Sequence, residues 1–247
     1  MASRRNFQLL MVLVLLFGFT SIARAAESGY LYRATLVQAA PGKLPELIEA
    51  YKNVAAHMPN GEEAPLWMRH SQGDHWDLLI LFPMGSYAEY YSPERISRRS
   101  KAEAQLANKP DWHALIATQE DVFVFGPSLS EVRAAFASAR FYHVEMFQAL
   151  EGHHDNLLHE RQMESAYQRK LKRPENLLFV RDQGAAWDMF TIGCYRDLKH
   201  YAESADIPEA AQEEAAKAAG FKSTSQIGPY LRQFIRSHHD TLAVAVK

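Results

Sequence analysis

The sequence predicts an α+β fold built from two tandem β-α-β-β-α-β units. Three observations predict it. The chain repeats itself once, in order and nearly along its length. Each copy alternates strand-like runs rich in Tyr, Phe, Val and Thr with segments of helical periodicity. The composition, 47% hydrophobic and 23% charged in 247 residues, is that of an ordinary globular protein large enough to bury a core.

The repeat is read directly from matched residues. At an offset of 110, Tyr32 answers Tyr142, Gln38 Gln148, Ala39 Ala149, Gly42 Gly152 and Leu47 Leu157. At 111, Gln72-Gly73 answers Gln183-Gly184, Trp76-Asp77 answers Trp187-Asp188 and Tyr90 answers Tyr201. At 119, Glu120 to Val124 answers His239 to Ala243.

The elements follow in order. Residues 1–25 read as a secretory signal peptide: Arg4 and Arg5 open it, Leu9 to Phe19 is an apolar core, and Ala23-Arg24-Ala25 is a small-x-small cleavage pattern. The core is too short to span a bilayer. Cleavage leaves 222 residues and takes the net charge from −2 to −5. The first repeat, 26–126, opens with a strand at about 30–38, stopped by Gly42. A helix carrying Leu44, Leu47, Ile48 and Tyr51 follows. Leu66 to His70 and Trp76 to Phe82 are strands around the turn Gln72-Gly73-Asp74. Tyr87 to Leu106 and Asp111 to Thr118 read as helices, and Val122 to Phe125 as the last strand. A connector, 127–139, has a helix cap at Ser128 and a short helix from Glu131 to Ala137. The second repeat, 140–247, has a strand at 140–149 and a helix carrying Leu157, Leu158 and Arg161. Strands then run Leu177 to Arg181 and Trp187 to Gly193, around Gln183-Gly184-Ala185. Helices at Leu198 to Glu203, Pro208 to Ala219 and Pro229 to Ser237 precede a last strand, Thr241 to Val246.

This order is the ferredoxin-like plan, and two copies can pair their sheets into one intramolecular α+β barrel. The segments Leu36-Val37-Gln38-Ala39-Ala40-Pro41-Gly42-Lys43-Leu44-Pro45-Glu46-Leu47 and Phe147-Gln148-Ala149-Leu150-Glu151-Gly152 carry a resemblance, as do the Trp-Asp strands leading into Tyr87 to Tyr91 and Leu198 to Tyr201. The chain resembles the dimeric α+β barrel superfamily, which includes antibiotic-biosynthesis-monooxygenase-like, haem-degrading-monooxygenase-like, NIPSNAP-like and stress-responsive barrel proteins. The resemblance implies that polar residues seven and nine before the turn glycine line a cavity between sheet and helices. Those positions are Thr35 and Arg33 before Gly42, and Glu145 and His143 before Gly152.

The residues themselves point to the same strand face. Alternation puts Leu31, Arg33, Thr35 and Val37 on one side of the first strand, answered by Phe141, His143, Glu145 and Phe147. His143 and Glu145 are the candidate catalytic pair: an imidazole beside a carboxylate serves as an oriented general base. Two metal ligands, or a buried hydrogen-bonded support, are the other readings of the pair. Arg33, Thr35, Phe141 and Phe147 are the candidate substrate-binding residues, Arg33 suiting an anionic group.

Other signals are structural. His153-His154-Asp155 and His238-His239-Asp240 match no zinc spacing and read as solvated, so no metal and no cofactor is expected. His70 is a further cavity candidate or edge decoration. Trp67, Trp76, Trp187, Phe82 and Phe190 read as core, and the recurring Asp77 and Asp188 as turn or edge contacts. Cys194 has no base beside it and cannot form an intrachain disulfide. Arg95, Arg98, Arg99 and Lys101 read as a solvated helix face. A net-acidic chain lacking a basic run excludes a nucleic-acid partner, and no second apolar stretch reaches spanning length.

The resemblance implies a cofactor-independent monooxygenase acting on an aromatic or quinone-like substrate. The expectation is therefore an exported, periplasmic or secreted protein, monomeric and without membrane attachment after cleavage, whose partner is a small hydrophobic or aromatic molecule. A non-catalytic binding or stress-response protein on the same scaffold is the alternative.

Overall fold

A computed structural model of the protein describes residues 29–106 and 109–246. The expected signal peptide lies outside the described residues. Eight strands form one closed barrel in the order β1-β3-β2-β8-β5-β7-β6-β4, with every neighbouring pair antiparallel. They are β1 (Tyr30–Ala39), β2 (Leu66–Gln72), β3 (Leu78–Gly85), β4 (Ile116–Gly126), β5 (Phe141–Ala149), β6 (Leu177–Gln183), β7 (Met189–Tyr195) and β8 (Ile235–Ala245). Each half of the chain contributes four consecutive barrel strands, β4-β1-β3-β2 and β8-β5-β7-β6, the same order twice.

Period-two alternation decides what faces the barrel interior. Tyr32, Ala34 and Leu36 of β1 and Tyr142, Val144 and Met146 of β5 are buried in one apolar cluster with Phe179, Phe190, Leu79 and Leu81. Phe179 stacks on Phe190 at 4.7 Å, and Tyr32 meets its edge at 5.5 Å. The interior is a packed core, not a channel. The opposite face packs under helices: α1 (Leu44–Ala56) places Leu47 against Val37, Leu78 and Ile80. In the other half α6 (His154–Lys170) places Leu157 against Phe147 and Met189.

The remaining helices are α2 (Tyr87–Tyr90), α3 (Pro93–Gln105), α4 (Trp112–Leu115), α5 (Leu129–Ser138), α7 (Leu198–Ala202), α8 (Glu209–Ala218) and α9 (Ile227–Leu231). Three expectations need correction. The helix expected over Tyr87 to Leu106 is broken at Tyr91, because Ser92 caps a new helix whose first residue is Pro93. The helices expected to reach Thr118 and Ser237 stop at Leu115 and Leu231, and strand begins at Ile116 and Ile235. Full-length ladders with β1 and β5 override the polar composition of those segments. In the connector, Ser128 and Glu131 form a reciprocal capping box that starts α5. Among the described residues, no helix is long and apolar enough to cross a membrane.

Candidate functional site

The outward polar positions of β1 and β5 lie on separate sides of the barrel, since β3, β2 and β8 intervene. Arg33 and Thr35 therefore belong to one site, and His143, Glu145, Phe141 and Phe147 to another. The two differ in chemistry and in space.

In the first half, a cleft of about 400 Å³ opens between β1, α1, α3 and the segment leading to Trp112. Its aromatic walls include Tyr51, Phe82, Tyr90 and Trp112. Tyr51 sits 4.9 Å from Trp112 and 6.1 Å from Trp67. Two guanidinium groups enter it. Arg33 lies with its Cζ 4.4 Å over the Phe82 ring, and its buried Nε finds no hydrogen-bond acceptor. Its neighbour Asp121 is 3.7 Å away, an ion pair beyond bonding distance. Arg99 stacks 3.9 Å from Tyr90 and donates Nη2 to the Tyr90 carbonyl, while its buried Nη1 is likewise unbonded, 3.6 Å from Glu62. Thr35 does not line this cleft; its hydroxyl donates to Asp121 at 2.5 Å. Burial pushes the Tyr51 phenol up to about 12, with Asp121 adding and Arg33 opposing, so it stays a neutral donor at ordinary pH.

On α3, Arg98 and Lys101 are exposed as the charge run suggests, but Arg95 and Arg99 turn inward. Arg95 grips Glu62 with Nε and Nη2 at 2.8 and 2.9 Å and donates to the Met84 carbonyl, and Arg99 turns into the cleft. Nothing in the spacing of the run reveals Glu62, which lies on a loop more than thirty residues upstream.

In the second half, α6 covers the equivalent surface. Arg161 extends over Phe147, 4.6 Å from the ring centroid, and is itself buried. It pairs with Glu160 at 2.7 Å, Glu164 at 2.5 Å and Glu145 at 3.6 Å. Phe147 is fully buried between this guanidinium and the parallel ring of His238; Phe141 packs on Tyr201 at 5.7 Å. His143 and Glu145 do point the same way. Their shared neighbour is Asp240, which is paired with Glu145 in the β5–β8 register and lies 3.2 Å from His143 Nε2. His238 Nε2 is 3.0 Å from the other Asp240 oxygen. The run His238-His239-Asp240 thus sits inside β8, not in a loop ahead of it, and two of its three residues join the site. Thr191 of β7 donates to Glu145 at 3.3 Å.

Burial shapes the proton affinities here. It lifts the Glu145 carboxyl to about 7, helped by Glu164 and opposed by Arg161 and His143. For His143, burial works against the imidazolium, but the bond to Asp240 and the charge of Glu145 outweigh it and raise the pKa. The arrangement can hold a proton or a cation between two carboxylates.

Another cleft of about 400 Å³ lies where β1 and β5 end, between Trp76 and Trp187. His70 packs its ring against Trp76 at 5.9 Å. Asp77 and Asp188 have matching structural roles: each accepts the amide N–H of the last residue of the first strand of its half, Ala39 or Ala149, at 2.8 Å.

No protein-family model and no curated protein matches the sequence. Solved structures do. The chain superposes on an anthrone oxidase-like protein with a TM-score of 0.55, at 12% identity over 89% of this chain and 92% of that one. What the two share at this identity is the fold, an eight-stranded antiparallel barrel flanked by helices. A candidate monooxygenase from Lactobacillus acidophilus NCFM matches this barrel with a TM-score of 0.52, at 8% identity over 87% of this chain and 93% of that one. Another from Fusobacterium nucleatum gives 0.50, at 9% identity over 89% and 93%.

Proposed function

We propose that this α+β barrel is an exported protein that binds a flat aromatic or quinone-like molecule bearing an acidic oxygen, in the cleft beside Arg33. The observation that carries the reading is the pair of buried guanidinium N–H groups, on Arg33 and Arg99, left without acceptors in a cleft walled by aromatic rings. A buried donor without an acceptor costs free energy that a ligand oxygen returns as affinity. The rings supply stacking area, and Tyr51 adds a neutral donor. The export reading rests on the Arg4-Arg5 start, the Leu9 to Phe19 core and Ala23-Arg24-Ala25, and its proposed destination is the periplasm or the cell exterior.

The monooxygenase-like scaffold favours a second step at the same place. Two guanidiniums beside a phenol stabilise its phenolate, the electron-rich form that reacts with oxygen without metal or flavin. The same cleft without turnover is the non-catalytic alternative. The finer architecture belongs here too: residues 26–126 and 140–247 are two tandem ferredoxin-like units joined by 127–139, a reading supported by the identical strand order of the two halves.

Calorimetric titration of the mature protein with 1-hydroxy-2-naphthoate tests the binding site. Arg33→Gln removes the charge and is expected to weaken binding about tenfold or more with the thermal midpoint little changed. Equal affinity in the two proteins, or no binding by the wild type, overturns the proposal. Oxygen consumption with the same compound separates turnover from binding alone.

A further inference from the structure

We propose that His143, Glu145 and Asp240 form a binding site for one divalent transition-metal ion, of the zinc or manganese kind, on the second half of the barrel. One ligand atom from each of the three lies within 4.8 Å of the other two, close enough for small side-chain rotations to gather them around a single ion. The donor set is one imidazole and two carboxylates, a borderline-to-hard combination that suits zinc, manganese or iron and not a soft thiophilic metal.

Charge supplies the independent argument. The same two strand positions in the first half carry Arg33 and Thr35, which face Asp121: one fixed cation, one neutral hydroxyl, one carboxylate. In the second half they carry His143 and Glu145, which face Asp240. The fixed cation is gone and a carboxylate has been added. The covering helix does not restore the balance, because Arg161 arrives with Glu160 and Glu164. Three carboxylates, those of Glu145, Glu160 and Glu164, share the single guanidinium of Arg161, while Asp240 pairs with His143 and His238 and has Arg232 only as a more distant positive charge. Glu160 is fully buried and one of its oxygens, Oε1, has no hydrogen-bond partner. Buried carboxylates in excess of cations are costly, and a divalent ion held by Glu145 offsets the excess on the buried side of the site.

The geometry around the three ligands fits an ion held from one side. β5, β7 and β8 are adjacent strands, so the ligands ride on a rigid sheet. His143 and Glu145 are largely buried, whereas the Asp240 side chain is 52% exposed. Coordination positions on the Asp240 side therefore open to solvent, as in sites that bind water or a small ligand at the metal. His238, bonded to the far oxygen of Asp240, holds that carboxylate in place from outside the donor set. The spacing escaped zinc-motif rules because Asp240 is 97 positions from His143 and reaches it only through the β5–β8 ladder.

The test uses the mature protein, stripped with a chelator and titrated separately with zinc and manganese by calorimetry. One equivalent of one of these ions is expected to bind, at micromolar affinity or better. His143→Ala and Glu145→Gln are each expected to weaken binding about a hundredfold, whereas His154→Gln, at a half-exposed histidine opening α6, leaves it unchanged. Cobalt substitution in the wild-type chain gives a d–d spectrum reporting imidazole and carboxylate ligation, which needs no variant to fold. The proposal is overturned if the wild type binds none of these ions, if the affinity follows His154, or if both site variants bind as the wild type does. The Arg33 cleft is a separate site, so failure here leaves the naphthoate result standing, and the converse holds.

Discussion

At the scale of single residues, chemistry was legible where side chain and partner share a strand, and hidden where they do not. Alternation put Arg33, His143 and Glu145 on one face of their strands, and the family resemblance implied that this face meets the helices. It did not show that Thr35 is consumed by Asp121, or that Asp240 completes the site around His143. Both partners come from strands at the far end of their half, and no local spacing encodes that contact. Cys194 illustrates a residue whose inertness was readable from the absence of a neighbouring base. It sits on β7, and burial pushes its thiol up to about 12. A rise of about three units leaves roughly a thousandfold less thiolate at pH 8 than in an unfolded chain. Iodoacetamide is therefore expected to label the native protein far more slowly than the urea-unfolded one, with the native rate climbing about tenfold per pH unit from 8 to 11. The raised thiol contributes stability that is fully present below about pH 8.5 and is lost as pH climbs toward 12. Equal labelling of native and unfolded chains at pH 8 would show that the thiol is not withdrawn from solvent.

At the scale of elements, the strands that open each half were legible almost to the residue, because Gly42 and Gly152 end them and aromatic and β-branched residues fill them. The strands that close each half were not. Gln119 and Glu120, and likewise His238 and His239, have no strand preference of their own, and pairing with β1 and β5 holds them extended. The turns between middle strands were read correctly as Gln-Gly turns, but their second duty appears only in three dimensions. Gly73 and Gly184 both have positive φ, at 114° and 87°, and both press on the backbone of a closing strand. A Cβ on Gly73 would lie 2.2 Å from the Asp240 carbonyl oxygen, and one on Gly184 2.9 Å from that of Asp121. Gly73→Ala is thus expected to cost more than about 1 kcal/mol, and more than Gly184→Ala, in urea unfolding. It should also weaken metal binding at the proposed His143–Glu145–Asp240 site, since Asp240 must move. A Gly73→Ala protein as stable as the wild type would mean that the turn is not seated against β8 in solution.

At the scale of the whole molecule, the repeat predicts two like halves, and the barrel has the same strand order in both. Every strand has a neighbour on both sides, so the described chain leaves no sheet edge for a partner to extend. The halves meet at two seams that no sequence pattern announces: β2 with β8, from Met68 opposite Ala245 to Gln72 opposite Leu242, and β4 with β6, from Phe123 to Phe125. These seams are short, three or four residue pairs each, beside the ten that join β1 to β4. Cohesion across them comes instead from the shared interior, where Tyr32 of one half packs on Phe179 of the other. Once both halves sit in one chain, the second half need not copy the first, and it does not. One surface is an aromatic cleft with spare guanidinium donors; the other is closed by Arg161 and rich in carboxylates. A barrel closed within one chain is expected to run as a single copy in size-exclusion chromatography with light scattering, at all concentrations from micromolar upward. A stable dimer that survives dilution, with β2–β8 contacts formed between chains in cross-linking, would show that the seams exchange. Loss of the interior packing is the lever that should produce it: Phe179→Ala removes the ring that spans the seam, so that variant is where a dimer would first be seen.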